Sequence, residues 1–218
     1  MAGKSFLIDT TKCTACRGCQ IACKEWNKLP ATETKQTGTF QNPPDLSAST
    51  YRLVRFQEYP SEKNYMVWYF FTEACRHCMS PPCKAEADKY VKDCITVDKN
   101  GGVQFNEKTK DLGANAAKVK AGCPYNIPRL DEATKALVKC HMCYMRVDAG
   151  LLPACVKSCP TGALNFGERD DILKLAQTRL AEAKKKFGDK AELINPDEVR
   201  AIFLVADTPA KYCEFATY

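Results

Sequence analysis

The sequence predicts an α+β protein in which two small modules interlock, with hairpin insertions and a C-terminal helix–strand–helix extension. Three observations lead to this fold: cysteines in tight C-x2-C pairs, short β-rich runs between them, and a change of character after residue 165. Residues 1–50 plus 131–169 are predicted to form the first module, 51–130 the inserted second module, and 170–218 the extension. A length of 218 residues is typical of one or two domains.

The first cysteine run carries the most specific motif. It reads Cys13-Thr-Ala-Cys16-Arg-Gly-Cys19-Gln-Ile-Ala-Cys23, which is the C-x2-C-x2-C-x3-C spacing of bacterial ferredoxins. In two-cluster ferredoxins, three cysteines of such a run bind one 4Fe-4S cluster and the fourth binds the other cluster. Both modules are therefore predicted to be ferredoxin-like, of the bacterial type with two 4Fe-4S clusters.

The 14 cysteines indicate metal ligands rather than a disulfide framework. Proteins with such dense disulfides are usually short, whereas a chain of this length can bury a core without cross-links. The net charge of +6 is mild and dispersed, and no nucleic-acid module is visible. The one basic run, Lys184-Lys185-Lys186, indicates a solvated helix face, with a docking patch for an acidic partner as the alternative.

The first module begins with an apolar run, Phe6–Asp9, which predicts a short strand that enters the cysteine loop. A helical turn is predicted at Lys24–Asn27. Residues 31–50 are polar, contain prolines and show no period. A loop of this length is often functional, so two interpretations stay open: a surface loop, or an arm that becomes ordered on another subunit.

Two hairpins are predicted in the inserted module. The runs Tyr51–Phe56 and Tyr65–Phe71 are rich in β-formers and flank a polar segment, which predicts the first hairpin. Val91–Val97 and Gly102–Phe105 flank an Asn-Gly pair, which favours a tight turn between two strands.

The extension is predicted from helical spacing followed by a short apolar run. Apolar residues at helical spacing start after Asp170-Asp171 and stop at Gly188, and they are Ile172, Ala176, Leu180, Ala183 and Phe187. Ala201–Ala206 predicts a buried strand. Thr208-Pro209 favours the start of a short last helix, because proline suits the first helical turn.

The second module lacks one complete set of ligands. Four positions at ligand spacing from its cysteines carry residues that cannot bind iron, namely Ala87, Gly113, Ala116 and Val119. The remaining cysteines still make one whole set. We expect that the absent cluster lay at an end or a branch of the chain of clusters. Loss of a cluster in the middle would lengthen the distance over which one electron transfer has to occur.

Exchange of the fourth ligand sorts twelve cysteines into three 4Fe-4S clusters. Cluster A is assigned Cys13, Cys16, Cys19 and Cys159, cluster B is assigned Cys140, Cys143, Cys155 and Cys23, and cluster C is assigned Cys75, Cys78, Cys83 and Cys123. Cys94 and Cys213 are left over. His77 and His141 lie in the cysteine loops and are predicted to be neighbours of a cluster rather than ligands.

Zinc is the inorganic alternative, since C-x2-C pairs also form four-cysteine zinc sites. A zinc site does not explain the interlocked three-plus-one spacing or the prolines that follow Cys123 and Cys159. No residues resemble a nucleophile with its base, a phosphate-binding loop or a substrate pocket. Catalytic residues are therefore not predicted, and the pattern favours electron conduction.

Several stretches resemble a known family. They are Cys13–Lys24, Gln41-Asn-Pro-Pro-Asp-Leu-Ser47, Cys75-Arg-His-Cys78 and Gly150-Leu-Leu-Pro-Ala-Cys-Val-Lys-Ser-Cys-Pro-Thr-Gly162. These motifs are similar to the iron–sulfur (beta) subunit of the soluble, periplasmic tungsten or molybdenum formate dehydrogenases of sulfate-reducing bacteria. That group belongs to the electron-transfer subunits of molybdopterin oxidoreductases, and the likeness covers almost the whole chain.

The resemblance implies a non-catalytic electron-transfer subunit with defined partners. The expected partners are a large catalytic subunit, which carries a tungsten or molybdenum bis-pterin and its own 4Fe-4S cluster, and a periplasmic multihaem c-type cytochrome that accepts the electrons. Export together with the large subunit would place the chain in the periplasm, or in the cytoplasm if that partner lacks a signal. No signal peptide is visible in the chain itself.

Alternative functions stay open for the same motifs. The large subunit could act on nitrate, a sulfur compound or dimethyl sulfoxide, or the chain could be a free-standing polyferredoxin. No membrane span is expected, because no apolar run approaches the roughly 20 residues that a spanning helix needs. The membrane-bound formate dehydrogenases, with four clusters and an anchoring helix in this subunit, are therefore disfavoured.

Overall fold

A computed structural model of the chain describes residues 3–61 and 65–217. Its largest sheet has four strands in the order β8-β1-β10-β9. The strands are β1 (Lys4–Asp9), β8 (Leu164–Glu168), β9 (Glu192–Ile194) and β10 (Ala201–Val205). β1 runs parallel to β10 and antiparallel to β8, so residues from both ends of the chain pair in one sheet.

Both faces of this sheet are covered, and every residue of β10 is buried. Helix α6 (Arg169–Phe187) packs on one face, where Leu7, Ile202 and Leu204 meet its apolar side. Side chains of alternate residues, such as Phe6 and Phe203, point to the other face and pack near the cysteine loops. A strand that is buried on both faces reads as a continuous apolar run, which confirms the predicted strand at Ala201–Ala206.

The cysteine loops are connected by short helices. They are α1 (Gly18–Trp26), α2 (Pro82–Ala87), α3 (Ala116–Ala121), α4 (Tyr144–Asp148) and α5 (Ala154–Lys157). The turn predicted at Lys24–Asn27 is the end of α1, which starts inside the first cysteine run. Cys19 and Cys23 are four residues apart and therefore lie on one face of α1.

Residues 31–50 contain no helix and no strand of the main sheets, as predicted for a loop. The second half of this loop is held by the chain itself. The Lys24 Nζ donates to the Ser49 carbonyl over 2.7 Å, and the Arg129 Nε donates to the Leu46 carbonyl over 2.9 Å. Leu46 is buried in an apolar cluster with Leu53 and Tyr125. Contacts within the chain thus order the end of the loop.

Both predicted hairpins are present. β2 (Leu53–Pro60) pairs with β3 (Met66–Glu73), although part of the connection, residues 62–64, lies outside the described residues. β4 (Ile95–Val97) pairs with β5 (Val103–Phe105) through a turn in which Gly101 has a φ of +85°. The strand predicted to start at Val91 starts at Ile95, because helical turns that follow α2 continue through Val91.

The fold also contains a small hairpin, the elements of the extension and a short last helix. A two-residue hairpin joins β6 (Arg129–Leu130) and β7 (Leu137–Val138), and neither strand was predicted. The extension contains the predicted helix α6 and also β9, which was not predicted. The short last helix is a single 3₁₀ turn, Pro209–Lys211. Among the described residues, no helix is both long and apolar enough to cross a membrane.

The fold is α+β, as predicted from the sequence. β10 of the extension lies between β1 of the first module and β9 in the same sheet. The extension also contacts the second module, where Cys78 forms a β-bridge with Val199. The interlocked ferredoxin-like modules and their boundaries stay a prediction.

Candidate metal centres

Three of the four C-x2-C pairs, those that begin at Cys13, Cys75 and Cys140, share one unusual backbone conformation. The residue before the second cysteine has a positive φ in each pair: 53° at Ala15, 49° at His77 and 59° at Met142. A left-handed conformation costs roughly 1–2 kcal/mol for a residue that is not glycine. Its recurrence at equivalent positions indicates that one loop geometry is repeated three times in the chain.

This loop geometry turns backbone N–H groups toward sulfur. The Ala15 N–H donates to the Cys13 Sγ over 3.4 Å, and the His77 N–H donates to the Cys75 Sγ over 3.3 Å. Hydrogen bonds to a cysteine sulfur favour the thiolate, and around a cluster they influence its reduction potential. The strained residue therefore helps to form a pocket suited to bound thiolates.

The two Cys-Pro segments share a second repeated conformation. The third residue after each cysteine has a positive φ, 50° at Asn126 and 65° at Gly162. Asparagine and glycine are the residues that adopt this conformation most readily. The sequence signal that could have revealed this repeat is the matching pair Cys123-Pro-Tyr-Asn and Cys159-Pro-Thr-Gly.

The cysteines assigned to cluster A line one cavity, which also contains Val54, Ala163 and Leu164. They are Cys13, Cys16, Cys19 and Cys159. Burial raises the pKa of the Cys19 thiol to about 12. Burial acts in the same direction on Cys159, but backbone N–H groups of residues 161–164 hold the pKa of that thiol below its usual range. Cys16 is exposed, so this group reaches the surface.

The cysteines assigned to cluster C line a second cavity, with prolines on its walls. They are Cys75, Cys78, Cys83 and Cys123. Burial, and next to it the neighbouring thiolate of Cys75, raise the pKa of Cys83 to about 12. Four of the five cysteines of the second module thus lie in one place.

The cysteines assigned to cluster B come from α1, from α5 and from the loop that precedes α4. Burial raises the pKa of the Cys23 thiol well above its usual range, and the nearby thiolates of Cys140, Cys155 and Cys143 raise it further. Burial also raises the pKa of Cys140 to about 12. Because α1 packs against α5, Cys23 reaches a set of cysteines more than a hundred residues away in sequence.

The donor sets fit iron–sulfur clusters better than disulfides or zinc. All 14 cysteines are free thiols. In the part of the chain that the structure describes, no three cysteine, histidine or acidic side chains are grouped around a single-ion position. Instead, the four sulfurs of group A surround one cavity and the four sulfurs of group C surround another. An all-thiolate donor set is the one that 4Fe-4S clusters use.

The two histidines make hydrogen bonds to the protein. The His77 Nδ1 accepts a hydrogen bond from the Val103 N–H over 3.0 Å. The His141 Nε2 lies 2.5 Å from the Asn27 Oδ1. Neither side chain lines the cavity of group A or group C.

Electrostatic contacts between the groups give their order. Cys155 of group B lies close enough to Cys19 of group A to raise the pKa of the Cys19 thiol, and Cys75 of group C lies close enough to Cys140 of group B to raise the pKa of the Cys140 thiol. Group B therefore lies between groups A and C.

Apolar packing occupies the positions where a fourth set would lie. Ala87, Ala116 and Val119 pack in one buried cluster with Cys83 and Cys94. This cluster adjoins group C, because Cys83 and Ala87 are four residues apart on α2. Cys94 packs there as an apolar residue, whereas the Cys213 Sγ lies 3.6 Å from the Glu73 Oε1 and donates to it.

Comparisons with known proteins support iron–sulfur binding by this chain. Residues 66–169 match a family described as 4Fe-4S dicluster domain. The chain is 51% identical over 217 residues to formate dehydrogenase 2 subunit beta (cytochrome c-553) of Nitratidesulfovibrio vulgaris, which covers 99% of each chain. It is 49% identical over 214 residues to formate dehydrogenase subunit beta of Megalodesulfovibrio gigas, which covers 98% of each chain.

A more distant relative is longer. The iron–sulfur subunit of the nitrate-inducible formate dehydrogenase of Escherichia coli is 36% identical over 216 residues, which cover 94% of this chain and 70% of that one. The resemblance predicted from the cysteine runs is therefore confirmed, together with a role that is not catalytic by itself. The chain belongs to the family of formate dehydrogenase beta subunits, the iron–sulfur electron-transfer subunits of these enzymes.

Proposed function

We propose that this subunit holds three 4Fe-4S clusters and carries electrons between a formate-oxidising large subunit and a c-type cytochrome. The observation that supports this most directly is the convergence of twelve cysteines into three groups of four, in the order A, B, C. Groups A and C each line one cavity, and group B lies between them. Each proposed cluster thus has four thiolate ligands and no open coordination position.

The chain supplies burial and fixed donors at each group. When bound, a 4Fe-4S cluster accepts and releases one electron with little rearrangement. Three cysteines of group B are buried, which keeps water away from this middle group. They are Cys23, Cys140 and Cys155. Cys16 is exposed, so group A presents an edge at the surface where a redox partner can approach.

The proposed partners follow from the relatives. A large subunit with a tungsten or molybdenum bis-pterin and its own 4Fe-4S cluster would deliver the electrons of formate oxidation. A multihaem c-type cytochrome in the periplasm would accept them. The mention of cytochrome c-553 in the name of one relative supports a cytochrome as the acceptor. Co-export with the large subunit would bring this chain to the same compartment.

Iron and acid-labile sulfide in the anaerobically purified native complex test the proposal. Three clusters correspond to about twelve irons in this subunit, and a large subunit with one cluster raises the total to about sixteen per heterodimer. Mass spectrometry of the copurified subunit identifies the partner. A count of about eight irons for this subunit, or zinc bound to Cys140 and Cys143, contradicts the proposal.

A pair of matched variants tests the ligand assignment. Cys83 and Cys94 are both buried in the same apolar cluster, but only Cys83 also lines the group C cavity. Cys83→Ser is expected to lose about four irons or to leave a damaged cluster, whereas Cys94→Ser keeps the iron content of the wild type. Equal losses from both variants contradict the assignment.

A further inference from the structure

Arg52 is a buried cation with a fixed position between two cysteine groups. It precedes β2, and its side chain is only 3% exposed. Its Nη1 donates to the Thr72 carbonyl oxygen over 3.1 Å and lies 3.3 Å from the Thr72 Oγ1. Strand β3 therefore holds the guanidinium in place.

Four cysteines lie near the Arg52 side chain. Burial alone would lower the pKa of the guanidinium, but the thiolates of nearby cysteines raise it, and these belong to both group A and group B. They are Cys155, Cys19, Cys140 and Cys23. The ion pairs among residues 3–61 and 65–217 include no carboxylate partner for Arg52, whereas Arg55, three residues along, pairs with Glu73 and Asp45.

Lys139 occupies the corresponding position at group C. It is 6% exposed and lines the cavity formed by the four cysteines of that group. Its Nζ donates to the Val103 carbonyl over 2.5 Å and to the Cys140 carbonyl over 2.9 Å, and it lies 4.6 Å from the centre of the Phe105 ring. No carboxylate within the described ranges forms an ion pair with Lys139.

A buried cation without a carboxylate is unfavourable unless another negative charge compensates it. The hydrogen bonds at Arg52 and Lys139 go to neutral oxygens, which a neutral donor would satisfy equally well. Four thiolates around a 4Fe-4S cluster give a negative net charge, which increases when the cluster is reduced. A fixed cation nearby therefore stabilises the reduced form, and net charge is one of the factors that set the potential of such clusters.

We propose that Arg52 raises the reduction potentials of clusters A and B, and that Lys139 raises the potential of cluster C. This inference rests on the proposed function, because it requires clusters in these groups. Each of the three clusters then has a buried cation beside its ligands. The two roles follow from position. Arg52 is bonded to Thr72, which lines the cavity of group A, and it lies near cysteines of groups A and B, whereas Lys139 lines the cavity of group C.

Redox titration of the intact complex, monitored by electron paramagnetic resonance, tests the inference. Arg52→Gln is expected to lower the reduced-to-oxidised ratio of two cluster components at a fixed potential by about tenfold, or ~59 mV for a one-electron couple. Lys139→Met is expected to lower the same ratio for the third cluster of this subunit by a similar amount. Arg52→Lys and Lys139→Arg keep the charge and restore most of each shift.

Arg169→Gln is the matched control. Arg169 is also a buried arginine, 1% exposed, but it donates to the Ser5 hydroxyl and to the carbonyls of Val199 and Pro196, away from the cysteines. Its replacement is expected to leave all three potentials unchanged. A general destabilisation of the fold would instead shift the cluster potentials in this control as well.

Iron content, measured in parallel, distinguishes a failure of the proposed function from a failure of the proposed role of the cations. A wild-type subunit with fewer than three clusters contradicts the proposed function itself. Full iron content with unchanged potentials in Arg52→Gln and Lys139→Met overturns the role of the cations, as does an equal shift in Arg169→Gln. If Arg52→Gln loses iron, Lys139→Met decides the inference, because its side chain lies at a different group.

Discussion

At the scale of single residues, the chain contains two kinds of cysteine. Twelve lie in three groups of four, in loops whose backbone conformations repeat. The other two, Cys94 and Cys213, are buried away from those cavities. The spacing in the sequence separated these two kinds, because ligands of one cluster follow a local three-plus-one pattern that Cys94 and Cys213 do not share.

Cys213 is expected to make stability depend on alkaline pH. Burial raises the pKa of its thiol to about 11, and the Glu73 carboxylate contributes to the rise. Because the folded state holds the proton more tightly than the unfolded state, the contribution is fully present below about pH 9 and is lost as the pH rises through about 11. Wild type should therefore lose roughly 1–3 kcal/mol relative to Cys213→Ala over this window.

The measurement is the thermal midpoint of both proteins between pH 8 and 11, with absorbance of the clusters recorded to confirm that iron is retained. Cys94→Ala serves as a second reference, since Cys94 packs in a different apolar cluster. A difference between wild type and Cys213→Ala that stays constant across the range would show that the thiol does not titrate as expected.

At the scale of elements, the long periodic helix and the two hairpins were predicted, and the short helices α2 to α5 were not. Helix α6 was predicted because its apolar residues recur at helical spacing over five turns. The short helices α2 to α5 have six residues or fewer. They have too few turns to show a period, and their stability comes from packing against the cysteine groups rather than from propensity.

The contact between α6 and the sheet predicts a strong effect of one buried side chain. Ile172 packs with Leu7, Ile202 and Leu204, so Ile172→Ala is expected to lose about 2–4 kcal/mol through lost burial and a cavity. For a chain of this size the thermal midpoint should fall by roughly 5–10 °C.

Lys174→Ala is the control from the same helix, because its side chain is exposed. It is expected to change stability by no more than about 0.5 kcal/mol. Thermal midpoints of the two variants that agree within experimental error would mean that α6 does not depend on this contact.

At the scale of the whole molecule, the extension belongs to the structure that supports the cysteine groups. β10 lies beside β1, which leads directly into the first cysteine run. The Ala201 N–H donates to the Arg76 carbonyl next to Cys75, over 2.9 Å. The Arg76 guanidinium in turn lies over the Phe203 ring, 4.3 Å from its centre. Residues after 169 thus contact the loops of both modules.

A truncated chain tests this dependence. A chain that ends at residue 169 keeps all twelve assigned cysteines but loses β9, β10 and most of α6. It is expected to lose most of its iron when coexpressed with the large subunit, because β1 loses its parallel partner and its apolar cover. A chain that ends at residue 207 keeps the four-stranded sheet and should retain iron with a lower thermal midpoint. Full iron content in the shorter chain would show that the extension is dispensable for the clusters.

The sequence by itself determined the family and the long helix, and it predicted the ligand assignment. These features depend on spacing between neighbours in the chain, which is visible without the fold. The tertiary structure decided that a strand near the C-terminus pairs with β1 and that apolar side chains pack where a fourth cluster would lie. It also decided that Arg52 and Lys139 lie beside the cysteine groups. Contacts between residues far apart in sequence leave no local period, so only the packed chain could show them.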